Sequence, residues 1–179
     1  GSNFGARPSS SSFTQTPEAL PIATSRAGAD LYREVLFHGS ALQSIESLDD
    51  CRADGVAAHI RSAPPPREWL KQPLRAQWLG DPLALDSAFQ LLIVWSHEQR
   101  GAHSLPACDG RYRQFQRQFP ATGVSLRARI TTATANLVRA DFEILDAAGE
   151  LLAILEGSES TIDAGLATAF RARASSPRY

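Results

Sequence analysis

"DPLALDSAFQLLIVW", residues 81–95, is the stretch of this sequence that decides the fold. Asp81 is a good N-cap, Pro82 suits the first helical position, and Gly101 is the first residue that ends the helix. Apolar side chains lie on nearly every side of this helix, and only an acid and an amide interrupt them. A helix of this kind is predicted to be buried over most of its surface.

The segments around this helix predict an antiparallel sheet. Apolar and polar residues alternate over 56–60, 124–131 and 136–145, as expected for strands with one covered face. The "DAAGE" sequence at 146–150 is typical of a hairpin turn, and a return strand follows it. A sheet wrapped around one central apolar helix satisfies both patterns. The sequence therefore predicts an α+β protein with the layout of a single hotdog fold.

Two other segments are predicted in less detail. Residues 29–48 are mostly good helix formers, so we expect a short helix, a turn at His38–Gly39 and a second short helical stretch. Prolines between 64 and 73 predict irregular structure in the segment that leads to the long helix. His59 is expected on the solvent face of its strand, and His103 in a loop.

The length of 179 residues is enough for one domain with a core. Residues 1–28 are rich in Ser, Pro, Thr and Gly and are predicted to be a flexible linker or arm. We expect the hotdog domain at 29–165 and a fraying C-terminal tail at 166–179.

The composition excludes several classes of function. A net charge of −1 gives no electrostatic reason to expect nucleic-acid binding. No apolar run approaches the ~20 residues that span a bilayer, and no signal pattern is visible, so a cytoplasmic protein without a membrane partner is expected. Cys51 and Cys108 have no metal-binding spacing and are interpreted as reduced, partly buried thiols.

Three short motifs carry a resemblance to a known family. They are His-Gly-Ser-Ala-Leu-Gln at 38–43, Leu-Asp-Ser-Ala-Phe-Gln at 85–90, and Leu-Pro at 105–106. In this order they resemble the C-terminal half of dehydratase domains from modular polyketide synthases, especially those of polyunsaturated fatty acid synthases. The resemblance covers roughly residues 30–162.

The resemblance implies removal of water from a 3-hydroxyacyl chain held on the phosphopantetheine arm of an acyl carrier protein, with no other cofactor and no metal. It implies that Asp86 is the acid, with Gln90 bonded to its carboxyl group or to the substrate hydroxyl. His38 is the nearest candidate for the base. The residues implied to line the substrate channel are Gly39, Leu42, Phe89, Leu105 and Pro106. Burial among apolar neighbours favours a protonated carboxyl group, which suits an acid.

The sequence departs from the family pattern at two points. Ser40 and Leu42 replace the usual Pro and Phe, so the channel is expected to differ there. The family's catalytic His lies in a His-x3-Gly-x4-Pro motif in the other hotdog half, before a helix. The same spacing occurs here at His97, Gly101 and Pro106, but after the helix. His97 follows Asp86 by eleven residues, or about 16 Å of helix, too far to act on the same substrate carbon.

Two interpretations therefore stay open: an active dehydratase half, and a non-catalytic pseudo-dehydratase that serves dimerisation, architecture or carrier-protein docking. A free-standing thioesterase or hydratase of the same fold is a third, weaker one. Expected partners are the carrier protein and adjacent domains of the synthase. Because a lone hotdog leaves an edge strand and part of its helix uncovered, we expect either a homodimer or a monomer whose 28-residue arm covers the gap. Strand arginines either meet an acidic carrier protein or, as we favour, form solvated faces balanced by acids: Arg111, Arg113, Arg117, Arg127, Arg129 and Arg139.

Overall fold

The computed structural model describes residues 25–168, in which eight strands and three helices are found. The helices are α1 (Gly28–Glu34), α2 (Pro66–Trp69) and α3 (Pro82–Arg100), with a 3-10 turn at Ser40–Leu42. The strands are β1 (Arg26–Ala27), β2 (Ile45–Arg52), β3 (Gly55–Ile60), β4 (His103–Cys108), β5 (Arg111–Gln114), β6 (Val124–Ala133), β7 (Leu137–Leu145) and β8 (Leu151–Asp163).

All the strands belong to one antiparallel sheet, in the order β1-β2-β3-β6-β7-β8-β4, with β5 also paired to β8. Helix α3 lies against one face of this sheet and contacts strands across most of its width: β2, β3, β6, β7 and β4. The prediction of an α+β architecture with a sheet around one long helix is confirmed.

The ends of α3 follow the predicted local signals. The Asp81 side chain accepts hydrogen bonds from the backbone N–H groups of Leu83 and Ala84, and Pro82 occupies the first turn. Gly101 follows the helix at φ 63°, in the left-handed region that favours glycine. Most side chains of α3 between Leu83 and Ser96 are buried, as the apolar sequence predicts.

The predicted strand pattern is also confirmed. Val138, Ala140, Phe142 and Ile144 are all buried on the inner face of β7, while Arg139 between them is exposed. The hairpin turn after β7 is held by the Asp146 side chain, which accepts from two backbone N–H groups within the turn. The alternation follows from the helix covering one face of the sheet.

Three predictions of secondary structure were wrong. The segment with prolines between 64 and 73, predicted to be irregular, contains the one-turn helix α2, because Pro66 occupies the first turn, where a proline is tolerated. The second helical stretch in 29–48 is limited to the 3-10 turn, and Ile45 begins strand β2 instead. Its pairing with β3 buries Ile45 and Leu48 against the core, a tertiary gain that overrides the local helix propensity. His103 lies in no loop: it is the buried first residue of β4, which pairs with β8.

Within the described residues, β1 and the start of α1 at 26–28 lie inside the segment 1–28 predicted to be a flexible arm, which corrects that prediction for these residues. Gly28, the first residue of α1, lies so close to β2 that a Cβ atom there would be 1.8 Å from the carbonyl oxygen of Ile45. Residues 166–168, the start of the predicted fraying tail, are helical. The remaining predictions for the arm and the tail, at 1–24 and 169–179, lie outside the described residues. Within 25–168, no helix is both long enough and apolar enough to cross a membrane.

Candidate active site

The predicted acid and amide lie together on the first half of α3. Asp86 is half-buried, and Gln90, one turn later, is completely buried. The Gln90 Nε2 atom donates to Asp86 Oδ2 at 2.6 Å and to the backbone oxygen of Leu42 at 2.8 Å. This amide therefore joins the carboxyl group to the segment that follows α1.

Tyr32 completes this arrangement, and the sequence reasoning missed it. Its hydroxyl donates to Gln90 Oε1 at 2.7 Å and accepts from the backbone N–H of Ile45 at 2.9 Å. Burial raises the pKa of Tyr32, so the hydroxyl stays a neutral donor. Tyr32 stands in the same segment as the first motif, but only the packing of α1 on α3 shows that it reaches Gln90.

His38 is the residue that the sequence predicts as the candidate base. Its ring is half-buried and stacks on Phe37 with 4.6 Å between centroids. Burial lowers the pKa of the His38 imidazole, and the negative charge of Asp86 acts against this, so the two groups interact electrostatically. Between residues 25 and 168, no hydrogen bond joins Asp86 to a histidine, and none is made by the buried Nδ1 of His38. The imidazole is thus neutral at neutral pH and has a nitrogen free to accept a proton.

The residues predicted to line a channel are distributed over three segments of the chain. Gly39 and Leu42 are exposed on the segment that covers Gln90, and Phe89 is half-buried on α3. Leu105 and Pro106 are exposed on β4, which ends the main strand order of the sheet. Their role in a channel stays a prediction.

A separate groove of about 210 Å³ lies at the N-terminal end of α3. Trp78, Leu79, Gly80 and Phe119 contribute to its walls, but Asp86 and the predicted channel residues do not. The groove is therefore not the predicted channel.

The histidine motif after the helix has a structural explanation. The His97 ring meets the His103 ring edge-on at 5.2 Å, and His103 Nε2 lies 3.2 Å from the backbone oxygen of Val35. Gly101 ends the helix and Pro106 lies in β4. These contacts place His97 against the β4 side of α3, in a cluster separate from the hydrogen bonds of Asp86.

No group of three or more His, Cys, Asp or Glu side chains suited to a metal ion is found in the described part of the chain. Both cysteines are free, as predicted. Cys51 is half-buried, and burial raises the pKa of its thiol to about 11. Cys108 is exposed, which corrects the prediction that it is partly buried, because it lies at the end of the edge strand β4.

Three of the strand arginines are paired with acids on neighbouring strands. The pairs are Arg113 with Glu156, Arg129 with Asp141, and Arg139 with Glu159. All three guanidinium groups are about half exposed, so these pairs support the interpretation of solvated, balanced strand faces.

The comparisons with known proteins agree with this architecture. The dehydratase domain of a mycocerosic acid synthase-like polyketide synthase is 25% identical, with a TM-score of 0.61, over 78% of this chain and 50% of that one. The dehydratase domain from the CurF module of the curacin polyketide synthase is 22% identical, with a TM-score of 0.60, over 79% and 49%. A search of the curated proteins found no match.

A third solved structure, the dehydratase domain of PpsC from Mycobacterium tuberculosis in complex with C12:1-CoA, is 21% identical, with a TM-score of 0.57, over 81% of this chain and 56% of that one. The chain thus spans about half the length of the structures it matches, and the shared fold confirms the predicted hotdog.

A family model described as the polyketide synthase dehydratase N-terminal domain matches residues 11–162. Because this description names the N-terminal half, the match does not support the assignment to a C-terminal half, which stays a prediction. The match covers most of the sequence, and the structural comparisons agree with it. The chain belongs to the polyketide synthase dehydratase family.

Proposed function

We propose that this chain is one hotdog half of a dehydratase that removes water from 3-hydroxyacyl thioesters, and that Asp86 is its acid. The observation that carries the proposal is the half-buried carboxyl group of Asp86, held by Gln90 beside a neutral imidazole.

The reaction needs one base and one acid. The base takes the proton from C2 of the acyl chain, and the electron pair forms the double bond between C2 and C3. The C3 hydroxyl leaves with a proton from the acid, so that one water and one 2-enoyl thioester result. The carboxyl group of Asp86 supplies this proton. His38 accepts the C2 proton, or a histidine of a neighbouring hotdog does.

A base and an acid that act on adjacent carbons need room for the substrate between them. The absence of a hydrogen bond between His38 and Asp86 in the described residues is compatible with such a space. The lowered pKa of His38 also keeps the imidazole in the form that accepts a proton.

Turnover of a 3-hydroxyacyl thioester, followed by mass spectrometry for loss of water, tests the proposal. The chain is assayed alone and joined to its neighbouring domains, each with the wild-type sequence and with Asp86→Asn. Turnover that is lost in the Asp86→Asn variant supports the proposal, and full turnover without Asp86 contradicts it. His38→Gln distinguishes the two sources of base, because only turnover that depends on His38 falls with it.

A non-catalytic role in dimerisation, architecture or carrier docking is the second candidate. It is favoured by the exposure of the Phe37 and Leu42 side chains, which offer an apolar surface to a partner. No turnover by the chain joined to its neighbours would favour this candidate.

The finer features of the proposal follow from the family. The acyl chain is presented on the phosphopantetheine arm of an acyl carrier protein, and no other cofactor takes part. The partners are that carrier, adjacent domains of the same synthase and, for the lone hotdog, a second copy of the chain. Polyunsaturated fatty acid synthesis is the proposed pathway class, in the cytoplasm.

A further inference from the structure

We infer that Tyr32 is a positioning residue that determines which oxygen of Asp86 carries the transferable proton. The inference rests on the proposed role of Asp86 as an acid. It concerns a residue of α1 that touches neither the acid nor the proposed substrate position directly, and it acts through Gln90.

The argument starts at Ile45, whose backbone N–H can only donate. It points at the Tyr32 hydroxyl oxygen at 2.9 Å, so this oxygen is an acceptor there. The single hydroxyl proton of Tyr32 is then directed to Gln90 Oε1, 2.7 Å away. An amide nitrogen at that position would offer a second donor to the phenol, so the carbonyl end of Gln90 faces Tyr32.

The orientation of Gln90 fixes the next bond. With its oxygen at Tyr32, its NH2 group faces Leu42 O and Asp86 Oδ2, both of which are acceptors. One amide proton goes to each, and the completely buried Gln90 has every polar atom paired. Asp86 Oδ2 is therefore the oxygen held as an acceptor, and this bond favours Oδ1 as the site of a proton on Asp86, because a hydroxyl oxygen is the poorer acceptor.

The consequence is a fixed geometry for the acid. A carboxyl group with two equivalent oxygens would present its proton in several orientations, only some of them toward a leaving hydroxyl. The chain of bonds from Ile45 through Tyr32 and Gln90 selects one. Both the strand β2 and the helix α1 are thereby coupled to the acid on α3.

Tyr32→Phe keeps the aromatic ring and removes only the hydroxyl. Tyr112→Phe is the matched control, because Tyr112 is also half-buried and donates to a glutamine, Gln114, at 2.6 Å, but this pair lies on β5. Carboxyl-carbon NMR on the ¹³C-labelled chain follows the titration of Asp86, assigned with Asp86→Asn. The groups that interact with Asp86 electrostatically include His38 and Tyr32, so both are kept in the control.

In Tyr32→Phe, Gln90 Oε1 loses its donor, so the amide is held through its NH2 group alone and its bond to the Asp86 carboxylate weakens. The titration midpoint of Asp86 should rise by about 1 pH unit, the size expected for a weakened hydrogen bond to a charged acceptor. Tyr112→Phe should leave the midpoint unchanged. An unchanged midpoint in folded Tyr32→Phe, or an equal rise in both variants, overturns the inference.

A measurement on the wild-type chain covers the case in which Tyr32→Phe does not fold. The Tyr32 hydroxyl proton and both side-chain amide protons of Gln90 should exchange slowly with solvent, since each is held by an acceptor. Rapid exchange of the Tyr32 hydroxyl proton overturns the inference. None of these readouts needs turnover, so a failure of the dehydratase proposal is seen separately in the thioester assay.

Discussion

The first half of α3 and its C-terminal end each carry a cluster of polar side chains, but the two are built differently. Around Gln90, directed hydrogen bonds link α3 to α1 and to the segment before β2, and Tyr32 of α1 is in turn bonded to β2. Around His97, the contact is a ring packed edge-on against His103, and the buried Nδ1 of His97 makes no hydrogen bond within the described residues. The second cluster has the spacing of a catalytic motif, while the first has the bonds that hold an acid. Spacing along the chain is thus a poorer guide to chemistry than the partners of each polar atom.

The largest expected difference between the two clusters is in turnover. Asp86→Asn keeps the size of the side chain but removes the proton donor, so dehydration by the chain with its neighbouring domains should fall by about 10²-fold or more. His97→Asn should change turnover by less than about twofold, since its contacts lie on the β4 side of the helix. Initial rates of 2-enoyl thioester formation measure both. Similar losses in the two variants would place chemistry in the second cluster.

Replacing Gln90, the amide at the centre of the first cluster, tests whether its hydrogen bonds stabilise the fold. Gln90→Met leaves the Tyr32 hydroxyl and Leu42 oxygen without their partner, and should lower the free energy of unfolding by about 1–3 kcal/mol. Gln99→Met, on the exposed last turn of α3, removes only a long bond of 3.4 Å to the Cys51 oxygen and should change it by less than about 0.5 kcal/mol. Urea unfolding monitored by tryptophan fluorescence gives both values. Equal effects would show that the Gln90 bonds add no stability.

Thiol labelling compares Cys51, which lies on β2 beside the C-terminal end of α3, with Cys108 at the end of β4. Cys51, whose backbone oxygen accepts from Gln99, has a pKa raised to about 11, so little of it is thiolate near neutral pH. Cys108 is exposed. A thiol reagent such as iodoacetamide should modify Cys108 at least about tenfold faster than Cys51. Peptide mass spectrometry over a time course measures the two rates, and faster labelling of Cys51 would contradict its burial beside α3.

The smallest expected effect is a pH dependence of stability near the first cluster. Burial lowers the pKa of His38 in the folded chain below its ordinary value of about 6.5. As the pH falls below 6.5, the unfolded chain binds a proton before the folded chain does, so stability decreases with falling pH until the folded pKa is passed. His38→Gln should flatten this slope, whereas His59→Gln on β3 should leave the part due to His38 in place. Unfolding curves between pH 7.5 and 5 test it, and an unchanged slope in His38→Gln would contradict the assignment.

The sequence predicted the parts of the fold whose pattern is local. Helix α3 has its cap, its proline and its terminal glycine within the same segment, and β6 to β8 show a period of two. Strand β2 could not be predicted, because Ile45 and Leu48 stand among helix formers and become strand residues only by pairing with β3. Strand β4 was missed because Pro106 interrupts its pattern, which an edge strand tolerates.

The candidate site was predicted where one helix contains both partners. Asp86 and Gln90 are one turn apart, so their contact follows from helical spacing. The contact of Tyr32 with Gln90 joins α1 to α3 across a long segment of sequence, and no local pattern signals it. The same holds for His38, whose electrostatic interaction with Asp86 depends on how the turn after α1 packs.

The position of α3 in the chain, between two strands that are neighbours in the sheet, also bears on the order in which the chain folds. Strands β6, β7 and β8 follow one another through short turns, so their hairpins close with little loss of chain entropy. Strands β3 and β6 are neighbours in the sheet, yet the segment between them contains α3, β4 and β5. Pairing across such a long closure is slow. We therefore expect the three-stranded meander to form early in refolding, and the bond from Ile45 to Tyr32, which needs β2 and α1 in place, to be among the last to form.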